Sequence, residues 1–124
     1  QALNNKDFSI YGDGKQTRSF CYISDTVQGI SKLLDSNYNY PVNIGNPNEF
    51  SILELTNIIK DLTNSRSNVL YKKLPENDPK VRKPSINLAK KILKWEPKVK
   101  IKDGLIKTIK YYQNLIKLEK WKNC

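Results

Sequence analysis

The spacing of apolar residues predicts several short strands along the chain. Apolar and polar side chains alternate in residues 7–11 and again in residues 18–23, which is the period of a strand with one buried face. Gly12-Asp13-Gly14 lies between them and predicts a turn. Residues 40–45, set between chain-breaking residues, and residues 68–74 predict two further short strands.

The first predicted helix follows the second strand. Val27, Ile30 and Leu34 recur at helical spacing and predict one apolar face. Ser24 or Asp25 is suited to cap this helix, because a short polar side chain accepts a hydrogen bond from a backbone N–H that the helix leaves without a partner. We therefore expect a helix from this cap to about Leu34.

The second predicted helix has the clearest start in the chain. Ser51-Ile52-Leu53-Glu54 has the spacing of a capping box, in which the Ser and Glu side chains satisfy two backbone donors reciprocally. The apolar face that follows consists of Leu55, Ile58, Ile59 and Leu62.

Two more helices are predicted in the last third of the chain. Residues 75–84 read as an irregular polar loop, and Ser85 is a candidate cap for a short helix to Leu93. Residues 95–97 contain a proline and interrupt the pattern, and a long helix is expected from about Lys102. Its apolar positions step by three or four residues: Ile101, Leu105, Ile109, Tyr112 and Ile116.

Composition fits one small globular domain. The chain has 124 residues, of which 38% are hydrophobic and 27% are charged. Its apolar runs are too short for a transmembrane helix. It has no histidine, and Cys21 and Cys124 lie far apart, which excludes a Cys/His zinc site and a Ser-His-Asp triad. Because there is no methionine and the chain starts at Gln1, we expect a piece of a longer reading frame.

The net charge of +10 is unevenly distributed. Residues 1–79 carry a net charge of −1, and residues 80–124 carry +11. Of the 22 basic residues, 19 are lysines, and Lys, Asn and Ile, which all have A/T-rich codons, make up 46 of 124 residues. Arginine, the residue favoured for bidentate phosphate contacts, is scarce. We therefore expect no specific nucleic-acid partner, although a basic polyanion-binding module remains an alternative.

Two motifs near the start of the chain do not fit the chemistry that their spacing suggests. Tyr11 and Lys15 match the Tyr-x-x-x-Lys pair of short-chain dehydrogenases, but that pair needs one helical turn, and Gly12 and Gly14 disfavour a helix. The two glycines also resemble part of a dinucleotide-binding fingerprint. Thr17 stands at its third glycine position, and a strand rather than a helix follows.

An ordered set of segments resembles the C-terminal part of extended short-chain dehydrogenase/reductases that act on nucleotide sugars, and the UDP-glucuronate decarboxylases in particular. Each segment is weakly specific, but they occur in family order and cover nearly the whole chain. They are Gln1-Ala2-Leu3, Tyr-Gly-Asp-Gly-Lys-Gln-Thr-Arg-Ser-Phe at 11–20, Tyr22-Ile23-Ser24-Asp25, Pro-Val-Asn-Ile-Gly-Asn-Pro at 41–47, Asp78-Pro79, Arg82-Lys83-Pro84 and Trp95-Glu96-Pro97.

The resemblance implies a small α/β C-terminal substrate-binding lobe, spanning residues 1–124, without the Rossmann lobe. In the family, an N-terminal Rossmann lobe binds NAD and supplies the catalytic Tyr/Lys pair. The family reaction oxidises C4 of UDP-glucuronate, loses CO2 from the resulting 4-keto acid, and returns the hydride to give UDP-xylose. The resemblance therefore implies no catalytic, cofactor-binding or metal-binding residue in this chain, which alone is expected to be inactive.

The resemblance also implies four substrate-binding residues. Arg18 and Arg82 lie at the two diphosphate-contacting positions of the family. Asn43 matches a nucleotide-contacting asparagine of related dehydratases, with a buried structural amide as the alternative. Tyr11 ends the strand that borders the nucleobase, with a core tyrosine as the alternative.

Three positions depart from the family pattern. Ser85 stands where an Asp is usual, and Cys21 replaces a residue that is usually polar. Lys94 stands where a Gly is usual; since a left-handed residue after a helix favours glycine, lysine there is expected to cost on the order of 1 kcal/mol.

The complete protein implied by the resemblance is a homodimer in the cytoplasm, or alternatively in the Golgi lumen. A nucleotide-sugar 4,6-dehydratase or 4-epimerase fragment is the nearest alternative. A non-catalytic nucleotide-binding remnant or regulatory module is the alternative outside the enzyme class.

Overall fold

A computed structural model describes the backbone of residues 1–122 and the side chains up to residue 118. It shows a small α/β fold, as the sequence predicts. After a single 3-10 turn at Ala2–Asn4, the elements are β1 Phe8–Tyr11, β2 Thr17–Ser19, α1 Ile23–Leu34, β3 Glu49–Ser51, α2 Ile52–Thr63, β4 Val69–Lys72, β5 Val81–Arg82, α3 Asn87–Leu93 and α4 Ile101–Lys122.

The described strands form two separate sheets. β1 and β4 pair in parallel, with Phe8 opposite Val69. The other sheet has the order β3-β2-β5, in which β2 runs antiparallel to β3 and parallel to β5. β5 lies inside the stretch for which the sequence predicts an irregular loop. The local pattern does not reveal this strand, because it is only two residues long and depends on pairing with β2.

Capping differs between the helices. The predicted capping box of α2 is confirmed: the Ser51 hydroxyl accepts from the Glu54 N–H, and the Glu54 carboxylate accepts from the Ser51 N–H. The caps expected for α1 and α3 are wrong. Tyr22 and Ile86 occupy the cap positions, and neither makes a side-chain capping bond. Ser85 instead offers its carbonyl to the Asn43 amide.

The core joins α1, α3 and the turn that follows α3. Trp95 is 1% exposed, and its indole N–H donates to the Asp25 carbonyl at 3.0 Å. The buried Asp25 carboxylate accepts from the backbone N–H groups of Lys98 and Val99. Gly29 permits the close approach of α1, since a Cβ there would meet Ile44 at 2.6 Å. Two of the segments that carry the family resemblance thus hold the core together.

The apolar face predicted for α1 is exposed. Val27 is 55% exposed, Ile30 48% and Leu34 80%, and Ile23 continues the row at the helix start. The buried side of α1 carries Asp25 and Gly29 instead. We call these four apolar residues the α1 stripe.

Residues 40–45 do not form the expected strand. The structure assigns no strand there, and Val42 and Ile44 pack against the core while the backbone has no ladder partner in the described chain. An isolated extended segment is not a strand, because strand pairing supplies the hydrogen bonds that define it.

The last helix begins close to the predicted residue. Leu105, Ile109, Tyr112 and Ile116 line an apolar groove shared with the N-terminal turn and α2, although Tyr112 is still 54% exposed. No helix within the described residues is both long and apolar enough to cross a bilayer.

Candidate functional site

The three-stranded sheet places two of the three arginines side by side. Arg18 of β2 is opposite Arg82 of β5 in the parallel register, and Phe50 of β3 is opposite Arg18 on the other side. Residues opposite each other in neighbouring strands project to the same face of a sheet. One face therefore presents two guanidinium groups in adjacent strands next to an aromatic ring.

Arg18 is held by two described contacts. Its Nη1 donates to the Thr17 carbonyl and its Nη2 donates to Asp78 Oδ1, both at 2.7 Å. The Arg18 side chain is 17% exposed and that of Asp78 is 28% exposed. The Arg18–Asp78 pair is therefore largely shielded from water. This shielding strengthens their charge-assisted hydrogen bond.

The opposite face of the same sheet carries a second ionic cluster. Glu49 accepts from the Thr17 hydroxyl at 2.7 Å and pairs with Lys83 Nζ at 3.4 Å. The hydrogen bond from Thr17, reinforced by Lys83, lowers the pKa of Glu49 below its ordinary value. Glu49 belongs to β3, Thr17 to β2, and Lys83 directly follows β5, so this cluster links the strands that set the two arginines side by side.

Arg82 differs from Arg18 in its surroundings. It is exposed, and in the described part of the chain no carboxylate lies within salt-bridge distance of it. Two guanidiniums and one carboxylate leave a net positive charge on this face of the sheet. Such an arrangement suits an anion with several acceptor oxygens, such as a diphosphate, because the planar guanidinium donates in parallel to two oxygens.

The other two predicted binding residues have no described contact with the side chains of the arginine pair. The Asn43 amide donates to the Ser85 carbonyl at 3.2 Å, which joins the 40–45 segment to the loop that follows Arg82. Asn43 is exposed, not the buried amide of the alternative. Tyr11 belongs to the other sheet, is 48% exposed, and has Lys72 Nζ 6.0 Å from its ring centroid. The core alternative for Tyr11 is therefore wrong.

Asp78 was not among the residues predicted from the sequence to belong to the site. It lies 60 positions from Arg18, so spacing does not indicate the contact. The one available signal was Asp78-Pro79 as a segment of the family pattern.

A dinucleotide does not fit the glycine turn after β1. Gly12 and Gly14 both have left-handed backbone angles, and the chain then enters β2 rather than a helix. Pyrophosphate binding in such motifs needs a helix N-terminus. Gly14 is also buried against Leu53 and Ile10. The described residues also contain no group of three His, Cys, Asp or Glu side chains placed to hold a metal ion.

Comparison with known proteins gives one consistent result. A model of the NAD dependent epimerase/dehydratase family matches residues 1–45. The chain is 46% identical over 112 residues to UDP-glucuronic acid decarboxylase 1 of Danio rerio, covering 90% of this chain and 27% of that protein.

Two solved structures share the fold. UDP-glucose 4-epimerase from Thermotoga maritima, determined with UDP-glucose, gives a TM-score of 0.88 at 27% identity, over 93% of this chain and 37% of that one. UDP-glucuronic acid 4-epimerase from Bacillus cereus, in complex with UDP-glucuronic acid and NAD, gives 0.84 at 30% identity, over 91% and 37%. The chain spans 26% to 31% of the length of the curated relatives that it matches.

Proposed function

Because this chain belongs to the NAD dependent epimerase/dehydratase family, we propose that it is the C-terminal, UDP-sugar-binding lobe of a UDP-glucuronate decarboxylase. The whole protein would convert UDP-glucuronate to UDP-xylose and CO2. Curated relatives at 40% to 46% identity carry the decarboxylase name, which favours this activity over the 4-epimerase and 4,6-dehydratase alternatives.

The observation that carries the proposal is the register of Arg18 opposite Arg82. Neighbouring strands are about 4.8 Å apart, so two guanidiniums in register suit the spacing of two linked phosphate groups. Arg18 is shielded and anchored, whereas Arg82 is exposed and able to adapt to the ligand. We assign the diphosphate of the UDP-sugar to this pair, with Asn43 and Tyr11 as further nucleotide contacts.

This lobe contributes binding and orientation. Two guanidiniums fix the diphosphate, and the sugar attached to it is thereby held at a defined distance from the catalytic groups. NAD supplies the redox chemistry at C4 when it is bound, and the described residues do not form its site. In the proposal, an N-terminal Rossmann lobe holds NAD and the proton-transfer residues.

Two features support a surface for that second lobe. The α1 stripe is a row of apolar side chains facing solvent, of the kind that marks an interaction site. The 40–45 segment has no strand partner in the described chain, and its Ile44 lies against Gly29 of the same helix. We propose that the stripe packs on the Rossmann lobe and that this segment joins its sheet. As the family resemblance implies, we further expect the complete protein to be a homodimer in the cytoplasm, or alternatively in the Golgi lumen.

Titration with UDP of the complete protein that contains this chain tests the assignment of the arginines. We expect Arg18→Ala and Arg82→Ala each to weaken UDP binding by at least about tenfold, since each removes a charge-assisted contact worth about 1.5–3 kcal/mol. Arg66→Ala is the matched control, because Arg66 is exposed and lies by a different, polar pocket. Equal UDP affinity in wild type and Arg18→Ala would contradict the assignment.

A further inference from the structure

The loop between β4 and β5 brings a carboxylate to Arg18. Asp78 Oδ1 accepts from Arg18 Nη2 at 2.7 Å, and both side chains are mostly shielded from solvent. Nothing in the diphosphate assignment requires a negative charge at this point, since an acidic side chain beside an anion site opposes the ligand by simple Coulomb repulsion. Diphosphate binding alone therefore does not explain why Asp78 lies beside Arg18.

The position of Asp78 is fixed by the fold of its loop. Its N–H donates to the Pro75 carbonyl, and the turn between them passes through Asn77 in the left-handed region. Immediately beyond, the Thr17 N–H donates to the Lys80 carbonyl at 2.9 Å and leads into the β2–β5 ladder. The loop is thus hydrogen-bonded to the strand that carries Arg18. The turn from Pro75 to Asp78 fixes the position of the Asp78 carboxylate.

We infer that Asp78 is a positioning residue that holds the Arg18 guanidinium in the orientation that receives the diphosphate, an inference that rests on the proposed function. A guanidinium has five N–H donors. The described contacts to Thr17 and Asp78 use two, one on each Nη atom, and leave three for a ligand. With both Nη atoms anchored, the side chain loses little further rotational freedom when phosphate binds.

The alternative role, in which Asp78 blocks Arg18 until an anion displaces it, fits the surroundings less well. A ligand that displaced Asp78 would leave a largely shielded carboxylate without its cation, which is a costly state. Arg82 already provides an exposed positive charge beside Arg18. The two arginines therefore have different roles. Asp78 orients Arg18, and Arg82 supplies the uncompensated positive charge.

UDP titration of Asp78 variants separates the two roles. If Asp78 positions Arg18, Asp78→Ala weakens UDP binding about tenfold or more, as is typical when an outer partner of a binding group is removed. Asp78→Asn keeps an acceptor oxygen and restores most of that affinity. Glu76→Ala is the matched control, because it removes one negative charge from an exposed side chain of the same loop. It is expected to leave affinity unchanged or slightly higher.

Arginine side-chain NMR provides a readout without ligand. The chain has only three arginines, so their guanidinium signals can be assigned by substitution. Because Asp78 accepts from Arg18 Nη2, exchange of the Arg18 Nη–H protons with water is expected to quicken several-fold in Asp78→Ala and to stay near wild type in Asp78→Asn. Thermal melting of each variant establishes that it is folded.

The outcomes distinguish this inference from the proposed function. If Arg18→Ala weakens UDP binding and Asp78→Ala does not, or if Asp78→Ala tightens it, the positioning role is wrong and the diphosphate assignment stands. If the wild-type protein does not bind UDP, or if Arg18→Ala binds it equally well, the positioning role and the diphosphate assignment are both wrong. Unchanged Arg18 exchange in Asp78→Ala also overturns the positioning role.

Discussion

At the scale of single residues, the rarity of arginine is informative. The chain uses lysine for 19 of its 22 basic positions, yet two of its three arginines meet in register on one sheet face. Lysine would supply the same charge there, but not a planar group that donates to two oxygens at once. The choice of arginine at these two positions is therefore better explained by ligand geometry than by net charge.

Lys94 has an unfavourable backbone conformation for its residue type. It ends α3 in the left-handed region, with φ of 49°, where a side chain with a Cβ is strained. Its carbonyl and that of Leu93 accept from Lys32 Nζ at 3.2 Å, a contact that does not use the Lys94 side chain. The left-handed conformation expected at Lys94 is therefore confirmed, and its cost stays a prediction.

Lys94→Gly is therefore expected to stabilise the chain by about 1 kcal/mol. Denaturant unfolding, followed by the fluorescence of the buried Trp95, measures this difference. Lys91→Gly is the matched control, since it removes an exposed lysine from within the helix and is expected to destabilise. A Lys94→Gly variant no more stable than wild type would contradict the strain.

At the scale of elements, three glutamates make contacts that stabilise local structure. They lie at the start of α2, in the three-stranded sheet and in the turn after α3. The Ser51 backbone N–H bond lowers the pKa of Glu54 at the start of α2. The Thr17 hydroxyl lowers the pKa of Glu49 in the sheet, and the ion pair with Lys90 lowers the pKa of Glu96 beyond α3. Each group therefore binds a proton less readily in the folded chain than in the unfolded chain.

The pH dependence of stability follows from that direction. A carboxylate with a lowered pKa contributes its full stabilisation above its unfolded value, and loses it as pH falls through the folded value. We expect Tm to fall as pH decreases below 4.5, the ordinary glutamate value. In Glu54→Gln, which does not ionise, this fall is shallower. Identical slopes in Glu54→Gln and wild type would contradict the capping contribution.

Local signals in the sequence predict helices and strands more reliably than they predict which distant residues these elements contact. The capping box at Ser51 and Glu54 was predicted correctly because all of its contacts lie within one helical turn. Strand β5 was missed because its two residues become a strand only by pairing with β2, more than sixty residues earlier. The Arg18–Asp78 contact has the same long-range origin.

At the scale of the whole molecule, the same limit explains the α1 stripe. Helical periodicity identifies an apolar face but not what covers it, and in α1 the predicted face is exposed. The 40–45 segment likewise has a strand-like sequence and no strand partner in the described chain. In the proposal, both differences arise because the Rossmann lobe that would cover them is outside this chain.

Product analysis tests the central claim most directly. The protein encoded by the whole reading frame that contains this chain is incubated with UDP-glucuronate and NAD, and the nucleotide sugar formed is identified by mass spectrometry and NMR. We expect UDP-xylose with release of CO2, and a raised KM for UDP-glucuronate in the Arg18→Ala variant. A product that retains the carboxylate and is inverted at C4 would contradict the decarboxylase assignment, as would a 4-keto-6-deoxy sugar formed in a parallel incubation with UDP-glucose in place of UDP-glucuronate.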